Sequence, residues 1–520
     1  MIAGMTSPIP LAITLAILAL SLTYVRSRMK WRIRTRGLPF PPGPRPLPLI
    51  GNILDLPRIK PWRKYTEWCA QYGGLVYLQA PGISLAIIND AEMAVELLDK
   101  HSAKTSDRPQ LPILKLSGQD LNFCFFPYGE RWRRHRRQFW QRFHRSAISQ
   151  YLKEQRTGVH RLLGRLLDSP AHLKSNIGLS FQGTMLKIVY GFDVVHENDK
   201  RLSIASAALD ALVQSTPGHF AVEMFPSLRY IPAWFPGAGF QHTLAHSKAA
   251  TLRLKHELFA AAKDIADRAG SNSCLATDLL ARAERNEGSA STATDETLAQ
   301  EVCLVTVEGS ADTTSWTLEG FFLAMSLYPD VQKKAQKELD AVIGPNRLPD
   351  HDDSDSLVYV NAVLKECLRW HVTAPVALPH CAMADIEIRG YFIPKGTTIT
   401  VNTWQMLHDP EVYDQPEEFR PERFIKDGKL DSDVKDPEAI AFGFGRRICP
   451  GRHFALASLF INIASLLHVF DITPPLDENG QPIRVNRPED CRCNIKPRSA
   501  AAEALIREAQ RAADAAGGEN

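Results

Sequence analysis

A single cysteine stands in the run Phe442-Gly-Phe-Gly445-Arg-Arg447-Ile-Cys449-Pro-Gly451, and its neighbours suit one kind of chemistry. Glycines before and after it keep side-chain bulk low, so backbone can approach a flat cofactor and turn amide N–H groups toward the sulfur. Arg446 and Arg447 favour the thiolate over the thiol. A zinc site would need further Cys or His partners at short spacing, whereas a lone thiolate in an N–H-rich loop suits the axial position of an iron. The plain alternative is a buried structural cysteine in a glycine-rich turn.

Other polar residues stand in apolar surroundings. Gly309-Ser310-Ala311-Asp312-Thr313-Thr314 lies at the centre of the longest helical pattern, where an unpaired acid or hydroxyl is costly to bury. A local solution exists: Thr can bond back to the carbonyl four residues earlier and Asp can face solvent. Glu308 adds a second carboxyl one turn before Asp312. Glu366 and Arg369 are three apart and share a helical face, a pattern common on surfaces. Arg131 to Arg137 reads as a solvated basic helix face, also suited to docking an acidic partner.

The elements that must position these residues are mostly helical. Periodicity predicts helices over 91–100, 130–165, 201–215, 245–267, 296–328, 329–343, 356–371 and 451–468. The long one opens on Thr294, Asp295 and Glu296, acidic as a helix N-terminus prefers, and stops at Pro329. Leu75–Leu78 and Leu85–Ile88 read as a hairpin around Pro81-Gly82, and Ile386–Ile388 with Thr398–Val401 as a second around Pro394-Lys-Gly396. The fold class is mainly α with a minor β part, in one large domain from about Pro61. Gly270 to Ser291, polar at both ends, is expected to include an exposed loop, and Ala500 to Ala516, ended by Gly517-Gly518, predicts a surface helix.

A net charge of +3 over 520 residues argues against nucleic acid as a partner. Nine cysteines without a CxxC pair, and no N-x-Ser/Thr sequon, place the body in a reducing compartment, with Cys491 and Cys493 as ordinary thiols. Pro8 to Val25 is uncharged and mostly apolar, about 27 Å long as a helix, enough to span a bilayer core. Arg26, Arg28, Lys30, Arg32, Arg34 and Arg36 follow, which holds that side in the cytoplasm and marks an uncleaved anchor. Leu38 to Gly51 is too proline-rich for helix and predicts a stiff spacer.

The motif F-x-x-G-x-R-x-C-x-G is matched at every fixed position. With Glu366-x-x-Arg369, Pro421-Glu-Arg423-Phe424 and the Gly309–Thr314 segment, it resembles the cytochrome P-450 family, and the motifs cover the chain from anchor to cysteine loop. The resemblance implies the cytochrome P-450 fold, with anchor and basic flank at 1–37, hinge at 38–60 and a haem domain at 61–520. It implies haem b held through Cys449 in the loop from Phe442 to Gly451, with O2 as co-substrate. Trp132 and Arg136 of a W-x-x-x-R match, His380 and Arg447 would meet the propionates. Asp312 would relay protons and Thr313 would order the proton-donating water, although Ser310 stands where the family has glycine. Glu366, Arg369 and Arg423 would form a buried network behind the cofactor.

With neither a Walker loop nor a GxGxxG signature, electrons would come from NADPH through a separate P-450 reductase, with cytochrome b5 as a further partner. The resemblance places the chain in the endoplasmic reticulum membrane, catalytic body in the cytosol. Pocket walls would come from Leu111–Phe125, Phe220–Phe235, Val305–Thr313 and Val372–Leu378, which suit an apolar substrate. Ser106-Asp-Arg-Pro, Tyr128 to Arg137 and Ile231 to Gly239 resemble fungal secondary-metabolism members, favouring hydroxylation of a terpenoid or other polycyclic skeleton. The alternatives are a fatty acid or xenobiotic hydroxylase, or an oxygen-independent haem isomerase or dehydratase.

Overall fold

The computed structural model describes residues 9–216, 220–269, 274–285, 292–477, 481, 483 and 491–516. Helices dominate: α1 (Ile9–Thr35), α2 (Pro61–Tyr72), α3 (Glu130–Phe143), α4 (Leu152–Asp168), α5 (Leu173–Tyr190), α6 (Lys200–Gln214), α7 (Gly239–Arg253), α8 (Phe259–Ala269), α9 (Leu275–Arg285), α10 (Thr292–Leu327), α11 (Pro329–Val342), α12 (Val358–Trp370), α13 (Arg452–Val469) and α14 (Ala500–Ala515). The central one is α13. It is apolar on nearly every side, so it must be covered all round, and α4, α10, α11 and α12 pack against it. It is long and apolar enough to cross a membrane, but most of it is buried inside the domain.

Several elements depart from the sequence pattern for visible reasons. The 130–165 helix is two helices, because the chain turns at extended His144 (ψ 165°) and folds Tyr151 back to stack on Phe143, 5.1 Å between ring centroids. Helix α5 is apolar around most of its circumference and so has no stripe to read. Its small residues let α4 approach until a Cβ on Gly158 would meet the Thr184 hydroxyl at 2.3 Å. Helix α9, with Leu275, Ala276 and Leu279 buried in its first turns and Cys274 buried just before it, fills the middle of the stretch expected to include a loop. The rest of that stretch, like Pro8 and Gly517-Gly518, lies outside the described residues. Helix α14 docks firmly: Ala502, Ile506 and Ala513 are buried, and the Arg161 guanidinium reaches Asp514 and the Ala513 carbonyl.

The sheets correct one expectation. β1 (Leu75–Ala80) and β2 (Ile83–Ile88) form the first hairpin as read. Strand β4 (Ile386–Ile388) pairs instead with β5 (Tyr391–Ile393) through a left-handed Arg389-Gly390 turn, φ +44° and +81°. β6 (Thr398–Val401) runs parallel to β2 and antiparallel to β3 (His380–Cys381), giving the order β1-β2-β6-β3. Alternation in 386–401 showed strands but could not name partners, because both Arg389-Gly390 and Pro394-Lys-Gly396 are good turns.

The proline-rich stretch is no free spacer. The Tyr77 amide donates to the Pro42 carbonyl and the Phe392 amide to Pro39, while Phe40 stacks on Tyr77 at 4.7 Å. At the end of α1, Arg34 makes a two-pronged ion pair with Asp385, 2.6 and 2.7 Å. All nine cysteines are free thiols.

Candidate active site

The cysteine loop is tight because glycine makes it so. Gly443 and Gly445 take φ of +77° and +59°, and a Cβ on Gly445 would lie 2.0 Å from the Leu98 carbonyl oxygen. The Cys449 amide donates to the Phe442 carbonyl at 2.8 Å, closing the turn just before α13, for which Gly451 is the cap residue. Burial pushes the Cys449 thiol above its ordinary value. The Gly451 and Arg452 amides and the Arg136 and Arg452 guanidiniums oppose that and favour the thiolate. This corrects the pair expected from sequence. Arg446 is exposed and bonds the Tyr128 hydroxyl, and Arg447 turns to the carbonyls of Ser106 (2.8 Å) and Phe126 (2.7 Å).

Beside the loop, polar groups from four segments converge, three guanidiniums and one imidazole. Arg136 of α3 donates to the Ile448 carbonyl at 2.5 Å, and Arg447 lies over the Trp132 ring. His380, at the start of β3, is buried with Nδ1 2.9 Å from the Thr105 carbonyl. Sequence reading missed the fourth, Arg108, although it quoted the Ser106-Asp-Arg-Pro segment that contains it. Arg108 is buried and donates to the carbonyls of Cys124, Leu378 and Pro379 at 3.0, 2.7 and 2.7 Å. Burial and mutual repulsion push Arg108 down to about 10 and Arg447 down to about 9, and hold His380 well below its ordinary value. Asp107 is the carboxylate that opposes them.

On α10 the hydroxyls bond back as the local reading anticipated: Thr313 to the Gly309 carbonyl at 3.2 Å, Ser310 to Thr306 at 2.6 Å, Thr314 to Ser310 at 2.9 Å. With its hydroxyl so engaged, Ser310 leaves the helix unbroken from Thr292 to Leu327. Gly309 and Thr313, with Trp316 next along the same face, are nevertheless exposed on a mostly buried helix, and together they open one face of it. Asp312 is half-buried, its carboxyl raised by desolvation and then by the like charges of Asp210 and Glu319. Neither Asp312 nor Thr313 bonds the cysteine loop, but α10 packs on both α3 and α13, which flank that loop. Nearer the start of α10, buried Glu301 takes the exposed Arg131 and buried His135 on one oxygen (2.9 and 2.8 Å) and buried Lys255 on the other (3.3 Å), a cluster unread in the sequence.

Glu366 and Arg369 are fully buried and doubly bonded at 2.7 and 2.8 Å; Arg423 adds a bond to Glu366 at 3.2 Å. Arg369 also holds the carbonyls of Leu407, Pro416 and Glu418, so the 407–423 stretch is pinned to α12 through one guanidinium.

These residues fit a haem. Arg108, Arg136 and Arg447 converge with Asp107 as the opposing carboxylate among the described residues, an excess of positive charge that two propionates would make good. Two thiols meet here: Cys124 lies beside Arg108, Arg136 and Arg447, where burial pushes it up to about 11, while Cys449 is the one toward which the Gly451 and Arg452 amides turn. No cluster of three or more His, Cys, Asp or Glu suited to a bare ion occurs among the described residues. Arg108, Leu111, Leu114, Phe125 and Leu378 line a small cavity that joins two of the expected pocket walls. A third wall is only partly as expected: Val222 packs with Ile113 and Leu244, but Tyr230 and Trp234 are 74% and 81% exposed. A separate polar cleft of about 440 Å³ between α4 and α5 takes no part in the site.

The cytochrome P450 family matches residues 41–490 of the chain. Cytochrome P450 monooxygenase COX2 of Coprinopsis cinerea is 38% identical over 475 residues, covering 88% of this chain and 89% of that protein. Cytochrome P450 monooxygenase COX1 of the same fungus is 39% identical over 443 residues, 84% and 85% of the two chains. Cytochrome P450 monooxygenase ple1 of Rhodocybe pseudopiperita is 37% identical over 478 residues, 88% and 90%.

Proposed function

This chain belongs to the cytochrome P450 family and is a monooxygenase of it; we propose that it hydroxylates an apolar polycyclic secondary metabolite, of terpenoid type, while anchored in a membrane. The observation that carries the reading is the buried Cys449 thiol, met by the Gly451 and Arg452 amides and by Arg136, next to the cluster of Arg108, Arg447 and His380 and on a loop flanked by helices against which α10, with Gly309 and Thr313 exposed, packs. Held there, a haem would supply the chemistry of O2 activation, with Cys449 as its thiolate donor.

The chain's own residues do the rest. Arg108, Arg136, Arg447 and His380 would hold the two carboxylates of the cofactor, and Trp132 lies behind Arg447. Thr313 offers a hydroxyl toward the exposed face, positioned to hold a water there. Asp312, raised by burial, carries a proton more readily than a solvated Asp and hands it along that water. Apolar walls from Leu111, Leu114, Phe125 and Leu378 select an apolar substrate and exclude bulk water.

NADPH electrons would reach the site through a separate reductase, with cytochrome b5 as a second donor. The exposed Arg133, Arg137, Arg145 and Arg446 beside the cysteine loop favour an acidic partner docking on that face. Leu15, Leu18 and Leu22 of α1 are more than half exposed, as are Leu49 and Ile59 just after the basic run, which supports contact with lipid. The test is the reduced, carbon monoxide-bound spectrum of the wild type and of Cys449→Ser, followed by product analysis with terpenoids and fatty acids, reductase and NADPH. A thiolate-type red-shifted band lost in the variant, with hydroxylated terpenoid formed, is expected. A band retained by Cys449→Ser overturns the ligand assignment, and hydroxylated fatty acid alone overturns the substrate class.

A further inference from the structure

Glu308 precedes Gly309 on α10, yet its side chain lies in a dry junction with 2% of the residue exposed. Asn122 Nδ2 donates to one carboxyl oxygen at 2.9 Å and Gln119 Nε2 to the other at 3.2 Å; Gln119 Nε2 also reaches the Thr251 hydroxyl at 3.3 Å. Gln119 and Asn122 are as buried as Glu308, and Gln119 Oε1 has no hydrogen-bond partner. No ion pair to Glu308 occurs among the described residues. The surrounding elements offer it little charge: Thr251 and Lys248 from α7, the Lys248 stem lying against Gly118; the Tyr190 phenol from α5; Asp120 beside Gln119; and, two turns back on α10, Glu301 already tied to Arg131, His135 and Lys255. A buried carboxyl held by amides alone is an expensive arrangement unless it is used.

We propose that Glu308 is a positioning residue whose carboxyl latches the Gly118–Cys124 segment, a wall of the substrate chamber, to the catalytic helix, and that the latch loosens as the carboxyl loses its proton. The proposal rests on the reading above only in taking that segment as a wall. Two bonding states are available. Ionised, Glu308 accepts from both amides as observed. Protonated, it donates to Gln119 once that amide turns over, which brings the unpartnered Oε1 onto Glu308 and within reach of the Thr251 hydroxyl. Burial raises the Glu308 carboxyl to about 7, whereas an opened latch exposes it to water at its ordinary value. The closed latch therefore holds a proton that the open one releases, and rising pH favours opening until Glu308 ionises in the closed form as well. Between pH 6 and pH 8 the open fraction rises roughly tenfold, the effect of one unit of proton linkage.

Hydrogen–deuterium exchange of the holoenzyme in nanodiscs reads this directly, once the intrinsic pH dependence of exchange is divided out. Amides 118–124 of the wild type should exchange roughly tenfold faster at pH 8 than at pH 6, and Glu308→Gln, which cannot ionise, should show no such difference. Gln119→Met, which removes one strand of the latch, should speed exchange at both pH values, and it decides the matter if Glu308→Gln fails to keep haem. A flat wild-type profile, the same pH response in Glu308→Gln, or unchanged exchange in Gln119→Met each overturns the latch. Binding of 4-phenylimidazole, followed by its Soret shift against the smaller imidazole, tests the wall: its affinity should fall from pH 6 to pH 8 in the wild type only, while imidazole stays level. A working latch with no effect on 4-phenylimidazole overturns the wall assignment. A missing thiolate-type carbon monoxide band would instead overturn the haem-thiolate reading and leave the exchange result standing.

Discussion

Arg447 lies over the indole of Trp132, its guanidinium carbon 4.4 Å from the ring centroid. The contact joins helix α3 to the cysteine loop, and the same guanidinium donates to the Ser106 and Phe126 carbonyls. One planar cation thus fixes three separate segments around the site, which an ammonium on a flexible stem cannot copy.

Arg447→Lys should accordingly keep the charge but lose the stack and the forked bonds. A desolvated cation–π contact is worth about 2 kcal/mol, so retention of the cofactor should weaken markedly. Haem content per mole of purified protein, measured as the pyridine complex after gel filtration, checks it. Arg108→Gln should lower haem content similarly. Full occupancy in both variants would remove these residues from the cofactor's support.

Thr313→Ala should leave the haem spectrum intact and lower product formed per NADPH, with more peroxide, because its hydroxyl faces the exposed side of α10 beside Gly309. Asp312→Asn should slow turnover, since an amide is a poor acid at neutral pH. A purely local role for the back-bonded hydroxyl predicts unchanged coupling, and the product-to-NADPH ratio separates the two.

Much of this was legible in the sequence, and what was missed shares a cause. The cysteine loop, Glu366 with Arg369, and the Trp132–Arg136 spacing are encoded within a few residues, so local pattern sufficed. Arg108 and Glu301 act through partners on distant segments, the Leu378 and Pro379 carbonyls for one, Lys255 and His135 for the other. No window of sequence contains both halves of such a contact. Helix α5 was invisible for the opposite reason: buried on most of its circumference, it carries no polar face to set a period.

The α1 helix, basic over its final turns and exposed at Leu15, Leu18 and Leu22, should hold the catalytic body on the cytosolic side of the membrane. Protease added to intact microsomes should degrade the body, and protection of the body would contradict this orientation.

Glu301 should contribute to the protein's loss of stability in acid. Despite the cost of burial, its bonds to His135 and Arg131 and the nearby Lys255 hold its carboxyl at about 2, below the ordinary 4.5. A depressed folded-state value means stability that is complete above pH 4.5 and is lost as pH falls toward 2. Glu301→Gln should be less stable at pH 7, by about 3–5 kcal/mol because Lys255 is left buried without its counter-charge, and its acid limb should be flatter. Urea denaturation of the holoenzyme at pH 7 and pH 4 measures both. Equal acid sensitivity in wild type and variant would show that other carboxylates govern it.

The pairing of β2 with β6 has a consequence for how the chain is made. Strand β2 is complete once Ile88 has left the ribosome, but its parallel neighbour begins only at Thr398. At about 5–20 residues per second, translation leaves that edge open for roughly 15–60 s. An apolar strand edge exposed for so long beside other nascent chains is a template for wrong pairing. The emerging protein should therefore lean on holdase chaperones during synthesis, and slowing of translation between these strands should lower its yield without touching the finished fold.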